Sequence, residues 1–400
     1  MSSGPVPLSR VETVGVAGIP DVAVELGRMT ALIGTRGSGK SQLLTAIAWL
    51  LSGDPLPGMR AGAPELRVRG DAMGARGPAR LVRAVRASGE IKDQPRPEEV
   101  PACSFLQAAD RLGAPASGSA AGGAADARIS STDGRTEVGE RMRALLPART
   151  TDAAAADALV RAVEACCREG LEGEVLIIEE PELLLTPQAQ RYLYALLRRF
   201  AEGGNQVVYS TWSPAFVDAA HHEEIVRLDL AEGAVVLRRT DPGTLSDAER
   251  VRIQAEFDHE RSEMFFAQKV VLVEGQTERL SLPFVFRAMG HDPDAEGIAI
   301  VEMGGKGNLP LAGRLLGQLA IPFVVVFDAD RGAPAAVLDA EIRRAARGAP
   351  TVRLEPDFEG AAGIGSRDEK VLRAWRRFSR ARPADIPRPL AEIVRLTVAL

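Results

Sequence analysis

The 400 residues are 46% hydrophobic and 26% charged, enough to bury two or three separate cores, and a net charge of −5 means that any surface for nucleic acid must be local. Three cysteines, Cys103 and the adjacent Cys166 and Cys167, fit neither a disulfide framework nor a zinc knuckle. No apolar run approaches the roughly 18 residues of a membrane span and no charged-then-apolar leader opens the chain, so the expectation is a cytoplasmic protein with no membrane partner.

In chain order, Val11-Glu-Thr-Val-Gly-Val16 and Val22-Ala-Val-Glu-Leu26 alternate apolar and polar residues and predict two half-buried strands. Met29-Thr-Ala-Leu-Ile33 predicts a third, which runs into Gly34-Thr-Arg-Gly-Ser-Gly-Lys40-Ser41, the spacing of a P-loop. Glycines at 34, 37 and 39 let the backbone curl so that the N–H groups along Arg36, Gly37, Ser38 and Gly39 point inward at a triphosphate. The helix predicted from Leu43, Leu44, Ile47, Leu50 and Leu51 adds its positive N-terminal end. Lys40 would reach the β- and γ-phosphates of ATP, Ser41 would bind Mg2+, and Gln42 completes the candidate nucleotide-binding set.

Residues 55–90 are rich in Gly, Pro and Arg, and Arg80, Arg83 and Arg86 would line one helical face, either as solvated surface or as a DNA contact. Ala114–Ala127 is low-complexity Gly, Ala and Ser and reads as a flexible insertion, while Asp152–Glu169, with Thr151 as its N-cap, reads as an Ala-rich helix. Glu174-Val-Leu-Ile-Ile-Glu179 predicts a buried parallel strand ending in carboxylates, in the pattern of a Walker B strand. There Glu179 would organise the Mg2+ water shell and Glu180 would orient and deprotonate the attacking water. Pro187–Phe200 predicts an amphipathic helix with proline at its first position, and Asn205–Ser210 a core strand leading to the switch loop Thr211-Trp212-Ser-Pro214. Ile225–Leu228 and Ala234–Arg238 predict a closing hairpin, and Leu245–Phe266 a charged linking helix. His221, His222, His259 and His291 lack metal-ligand spacing and read as surface residues.

A second α/β pattern begins at Lys269-Val-Val-Leu-Val-Glu274-Gly275, a buried strand ending at a carboxylate and followed by a helix that carries Glu278 one turn on. Ile298–Glu302 with Gly304-Gly-Lys306-Gly-Asn308, then Ile321–Phe327 with Asp328-Ala-Asp330, then Thr351–Leu354 supply three further strands. Acids at the carboxyl ends of such strands stand where open α/β sheets bind ligands. Carboxylates converging there repel one another unless a divalent cation, Mg2+ or Mn2+, binds. Lys306, on its Gly-rich loop, reads equally as a phosphate contact or as a solvated turn lysine. From Arg367 to Arg388 eight basic residues face three acids, with Trp375 and Phe378 interleaved, which makes this the best local candidate for the DNA backbone.

The first-half motifs resemble the ABC-type ATPase head in the branch that includes the SMC and DNA-repair ATPases, and Glu274 with Asp328-x-Asp330 looks like the Toprim domain of topoisomerases and primases. Together with Ile178-Glu-Glu-Pro-Glu182, Pro187-Gln-Ala-Gln-Arg191 and Ser210-Thr-Trp-Ser-Pro214, nearly the whole chain resembles the OLD (overcoming lysogenisation defect) nucleases. The resemblance implies an α/β protein with an ABC-type P-loop ATPase domain over 1–243, a linking helix over 244–266 and a parallel-sheet Toprim nuclease domain over 267–400. It implies Glu274, Glu278, Asp328 and Asp330 as metal ligands or general base, Asp357 and Glu359 as further members of the metal site, and Lys370 as the lysine that steadies the scissile phosphate. The chain departs from the family pattern at Arg36, where Asn is usual; at Leu145–Thr151, where no Ser-Gly-Gly signature appears; at Trp212, where a histidine senses the γ-phosphate; and at Val371, where proline is usual. The interval from Ser41 to Glu179 also leaves little room for the family's helical dimerisation insert.

The leading expectation is an ATP-binding, Mg2+- or Mn2+-dependent DNA endonuclease, acting in phage defence or DNA processing, as a homodimer through its ATPase heads or with a partner protein. The alternative is an SMC-like ATP-binding clamp or regulatory subunit, since the eroded signature and Trp212 point to slow or absent ATP turnover.

Overall fold

The computed structural model describes residues 6–74, 77–107, 130–131, 141, 152–231, 234–257, 259–330, 332–365 and 369–400. The low-complexity stretch 114–127, the signature region 145–150, Thr151 and Arg367 lie outside the described residues. The chain divides into two compact α/β units, Met1–Phe216 with Glu224–Leu237, and Val217–Glu223 with Arg238–Leu400.

The first unit is built on two sheets. β1 (Leu8–Val14) and β2 (Val22–Glu25) join β4 (Glu65–Gly74), β5 (Gly77–Arg86) and β6 (Ile91–Asp93) in an antiparallel sheet ordered β2-β1-β4-β5-β6 among the described residues. The other contains β3 (Met29–Gly34), β7 (Ala102–Leu106), β8 (Ser130–Ser131), β9 (Glu174–Glu179), β10 (Gln206–Ser210), β11 (Ile225–Ala231) and β12 (Ala234–Arg239), ordered β12-β11-β3-β10-β9-β7-β8. Its central run β11-β3-β10-β9-β7 is parallel throughout.

Helix α1 (Lys40–Ser52) buries Leu43, Leu44, Ala46, Ile47, Ala48, Trp49, Leu50 and Leu51, so it is apolar nearly all round. Such a helix is stable only when covered on every side; here the antiparallel sheet and the parallel sheet share one core with it. The opposite face of the parallel sheet is covered by α2 (Asp152–Glu169) and α3 (Pro187–Glu202), the latter capped by Thr186 and carrying Pro187 at its start. Both helices follow the predicted pattern.

One buried amide ties the two sheets together. Gln206 on β10 accepts from Leu8 N at 2.9 Å and donates to Leu8 O at 2.7 Å and Gly27 O at 2.8 Å. The first residue of β1 is thereby fastened to the middle of the parallel sheet.

The expected arginine-bearing helix at 80–86 is instead the edge-ward strand β5. With a period of two, Arg80 and Arg86 share one face and Arg83 turns to the other. There Arg83 lies over the Trp49 ring, 5.8 Å from its centroid, with Nε donating to Leu50 O at 3.4 Å. Arg80 and Arg86 pair with Asp71 and Glu90. β-branched and apolar residues at Leu81, Val82 and Val85, paired across to β4, outweighed the helical spacing of the arginines.

The second unit is a parallel sheet ordered β14-β13-β15-β16, from β13 (Lys269–Val273), β14 (Ile298–Glu302), β15 (Phe323–Asp328) and β16 (Thr351–Leu354). The stretch expected as one linking helix is broken: α4 (Asp247–Glu256), started by a capping box at Ser246 and Glu249, ends at an extended Phe257, and a short 3-10 turn occupies Arg261–Phe265. Helices α5 (Gln276–Ala288), α6 (Leu309–Gln318) and α7 (Ala333–Ala346) alternate with the strands, and α8 (Phe358–Ala362), α9 (Lys370–Phe378) and α10 (Arg388–Ala399) follow. α5, α8, α9 and α10 share an apolar core with Val271, Val273, Val324 and Val326.

His222 is not at the surface. It is fully buried with Nδ1 2.6 Å from Thr240 Oγ1, and burial pushes its pKa down to about 4. Among the described residues, no helix is long and apolar enough to cross a membrane.

Replacing Gln206 by Leu keeps the volume but removes three hydrogen bonds to buried backbone. Groups left unpaired cost about 1–3 kcal/mol each, so a loss of at least about 2 kcal/mol is expected in urea unfolding. A loss below about 0.5 kcal/mol, the range of ordinary surface changes, would show that the tie is dispensable.

Candidate functional site

Two strand-end clusters hold the candidate residues, one in each unit. In the first, register does the positioning: Ser210 on β10 is paired with Leu32 on β3 and with Glu179 on β9. The loops that leave these three strands therefore emerge side by side. Gly34 and Gly39 hold φ values of +131° and +92°. A Cβ at 34 would stand 1.9 Å from Leu228 O and one at 39 would stand 2.2 Å from Ile19 Cγ2, so neither position accepts a side chain. Ser38 is buried, whereas Arg36, Gly37, Ser41 and Gln42 are exposed along the loop and the first turn of α1.

Lys40 is buried, and its ammonium donates to Gly34 O at 2.7 Å and Thr35 O at 3.0 Å. The Trp212 ring covers it, with Nζ 3.8 Å from the ring centroid, a contact worth up to about 2 kcal/mol where water is excluded. Burial lowers the Lys40 pKa to about 8, against the pull of Glu180 and Glu182. The indole Nε1 of Trp212 donates to Glu180 Oε1 at 3.1 Å. Glu180 holds a left-handed backbone at φ 49°, with its N–H donating to Ser210 O at 3.0 Å. Strained backbone of this kind persists where surrounding structure enforces it, commonly at functional sites.

Glu182 was not singled out by sequence. Its carboxylate accepts from Thr211 Oγ1 at 2.9 Å and Trp212 N at 2.7 Å, pinning the switch loop to the loop after β9, and burial raises its pKa. Its place two residues after Glu180 was the available signal.

In the second unit, Glu274 follows β13, Glu278 lies in the first turn of α5, and Asp328 ends β15. Glu274 Oε2 accepts from Asp328 N at 3.4 Å. Burial, then the charges of Asp328, Glu274 and Glu359, push Glu278 up to about 8. Burial, then the charges of Glu274, Glu359 and Asp357, push Asp328 up to about 7, against a backbone bond from Phe358. Glu274 is also raised, first by burial and then by the charges of Asp330 and Asp339, against the bond from Asp328 N and the charge of Lys306. Lys370, at the start of α9, pairs with Glu359 at 3.0 Å, and that bond raises its pKa. Asp357 caps α8 by accepting from Gly360 N at 2.7 Å. Glu274, Glu278, Asp328, Asp357, Glu359 and Lys370 thus fall within one electrostatic neighbourhood.

Asp330 also acts on Glu274 through its charge, but it differs from the others in being paired with a buried lysine. Its carboxylate accepts from Lys306 at 3.0 Å, and Lys306 is buried rather than a solvated turn residue or a free phosphate contact. Asp339 on α7 and Arg353 on β16 complete this arrangement, and nothing in their sequence surroundings marked either one.

Among the described residues, no group of three or more His, Cys, Asp or Glu side chains stands close enough to form a ready metal cage. The donors nevertheless suit a hard divalent cation: they are carboxylates, they repel one another, and Asp328 Oδ1 is buried without a hydrogen-bond partner.

The basic stretch near the end is divided between helices. α9 exposes Arg373, Arg376 and Arg377 with Trp375 between them, while Arg382 is turned back to Asp385.

These shifts carry a pH sign. Asp328 and Glu278 have folded pKa values of about 7 and about 8, above the roughly 4 of an unfolded carboxyl. Between those limits the folded state binds more protons, so metal-free stability falls as pH rises. A cation that needs the ionised acids should therefore raise the melting temperature more at pH 8 than at pH 6. Melting curves in Mg2+ and in EDTA measure this; equal increments at the two pH values would refute it.

Comparison with known proteins bears on both units. Residues 265–330 match the family model described as "Overcoming lysogenization defect protein-like, TOPRIM domain". An OLD nuclease from Thermus scotoductus is 36% identical over 248 residues, 55% of this chain and 47% of that protein. The Old nuclease of Escherichia phage P2 is 27% identical over 161 residues, 39% of this chain and 28% of the phage protein. Among solved structures, the SMC head domain from Thermotoga maritima aligns with 59% of this chain and 100% of that domain, at 14% identity and a TM-score of 0.38. The chain spans about half the length, or less, of these curated relatives. Residues 265–330 thus match an OLD-like Toprim domain, and the chain is similar to OLD nucleases over part of their length.

Proposed function

We propose that the protein is an ATP-binding, divalent-metal-dependent DNA endonuclease of OLD type, acting in phage defence or DNA processing. The observation that carries this reading is the cluster of mutually repelling carboxylates around Asp328, with Lys370 beside it. Glu274, Glu278 and Asp328 would hold Mg2+ or Mn2+, with Asp357 and Glu359 adjoining. When bound there, the cations activate water and stabilise the leaving 3′ oxygen of a phosphodiester. Glu274 is suited to take the proton of the attacking water, because burial keeps its pKa above that of an ordinary carboxylate. Lys370 carries its ammonium at the edge of the cluster, where it would steady the scissile phosphate. Arg373, Arg376 and Arg377 on the exposed face of α9 would bind the DNA backbone without regard to sequence, with Trp375 available for stacking.

In the P-loop unit, Gly34 to Gln42 would cradle the triphosphate and Ser41 with Glu179 would hold its Mg2+. Assembly through the ATPase heads, with a second copy or a partner protein, belongs to the same reading.

A specific observation favours ATP as a regulator rather than a rapidly consumed fuel. Trp212 lies over Lys40 and holds Glu180, so the phosphate-binding cation and the residue suited to activate water are both engaged by the indole. Trp has one donor, and its indole N–H is already given to Glu180, so it is not offered to a γ-phosphate as a histidine N–H would be. One missing transition-state group lowers a rate by about 10²–10³. Trp212→His is therefore expected to raise ATP turnover at least about tenfold, measured by phosphate release. An unchanged rate would show that Trp212 does not limit turnover.

The nuclease reading is tested by nicking of supercoiled plasmid. Wild type should nick with Mg2+ or Mn2+ and not in EDTA. Asp328→Ala should eliminate nicking while keeping DNA binding in EDTA, and Lys40→Ala should remain active because its defect lies in the P-loop. Absence of nicking by the wild type with either metal would leave the clamp or regulatory role as the better account.

A further inference from the structure

The two acids of Asp328-Ala-Asp330 are usually considered together, but their surroundings divide them. Lys306, on the turn Gly304-Gly305-Lys306 after β14, is 5% exposed. Its ammonium donates to the main-chain oxygen of Asp328 at 2.7 Å and to Asp330 Oδ2 at 3.0 Å, and forms an ion pair with Asp339 Oδ1 at 2.8 Å. Asp339 is itself buried, and its second oxygen accepts from Arg353 Nε at 2.9 Å. Burial opposes the charge on Lys306, yet the bonds to Asp339 and Asp330 outweigh it and raise its pKa. Burial likewise opposes ionised Asp339, and Lys306 and Arg353 outweigh that too. The row Arg353, Asp339, Lys306, Asp330 alternates in sign and balances its own charge. Asp328 has the opposite situation: its Oδ1 is buried without a partner, and its side chain is surrounded by acids.

We infer that Lys306 is an internal cation that withholds Asp330 from the metal and anchors the 328–330 turn, leaving Asp328 as the metal-facing acid of the pair. The inference rests on the metal-binding reading above and narrows its ligand set to Glu274, Glu278 and Asp328, with Asp357 and Glu359 adjoining. Lys306 acts through the two aspartates and is a positioning residue. Its grip on the Asp328 carbonyl aims that side chain, and its charge, paired with Asp330, opposes the repulsion that Asp330 exerts on Glu274. Asp339 and Arg353 hold the ammonium in place from the other side.

Mn2+ binding by the full chain, followed by the loss of the free-ion electron paramagnetic resonance signal, tests this without recourse to cleavage. Asp328→Asn should weaken Mn2+ binding by at least about tenfold, because affinity at such sites follows the count of charged ligands. Asp330→Asn should leave it within about threefold, since a carboxylate already neutralised by lysine contributes little to that count. Lys306 keeps Asp339 and the Asp328 carbonyl in that variant, so the fold does not depend on the outcome. In a Lys306→Met background Asp330 loses its partner and becomes available, so Asp330→Asn should there cost at least about fivefold, a non-additivity that a purely structural lysine would not produce. If that background fails to fold, as judged by near-ultraviolet circular dichroism, the comparison of the two single aspartate variants decides alone. Equal losses for Asp328→Asn and Asp330→Asn would overturn the inference, as would indifference to Asp330 in a folded Lys306→Met protein. Failure of the wild type to bind Mn2+ would instead remove the metal reading beneath it.

Discussion

Burying like charges beside one another is the constraint on which the second unit depends. Parallel strands deliver their carboxyl ends to one edge of the sheet, so Glu274 and Asp328 meet because β13 and β15 are neighbours in register. Glu278 arrives one helical turn later and is almost fully buried. Glu274 and Glu359 raise the proton affinity of both Glu278 and Asp328, and an apolar core lies beneath them. The fold tolerates this by two different means. Where a cation is built into the chain, as at Lys306, the acid beside it is neutralised. Where none is, as at Asp328, the charge stays available for something from outside.

The P-loop unit meets the converse problem, a buried lysine. Lys40 cannot leave the loop without losing the carbonyls of Gly34 and Thr35, and it cannot remain charged there without a counterpart. The Trp212 ring supplies a negative face, and Glu180 and Glu182 supply charge at longer range. The aromatic ring at 212 thus has two engagements, its face with Lys40 and its N–H with Glu180. It couples Lys40 to the carboxylate after β9 through one side chain, and Glu182 fixes the backbone that carries it.

Much of this was legible in the residues because it depends on local spacing. Three glycines at fixed intervals before a lysine require a curled loop, and strongly apolar β-strands ending at Glu179, Glu274 and Asp328 require buried parallel strands with acids at their tips. Helix caps at Thr186 and Ser246 are likewise local chemistry. The errors share a cause. Arg80, Arg83 and Arg86 have helical spacing, but pairing with β4 decided their conformation, and His222 has no sequence mark of burial beside Thr240.

The sequence by itself determined the two α/β units, the order of their strands along the chain and most of the side chains at their tips, because strand, loop and helix signals act over a few residues. Only the tertiary structure decided how those side chains are partnered. That Trp212 covers Lys40, that Gln206 joins two sheets, and that Asp339 and Arg353 hold Lys306 against Asp330 all depend on residues far apart in the chain meeting around a buried lysine or amide. There an unpaired charge is expensive, and the identity of the partner sets what each group is free to do.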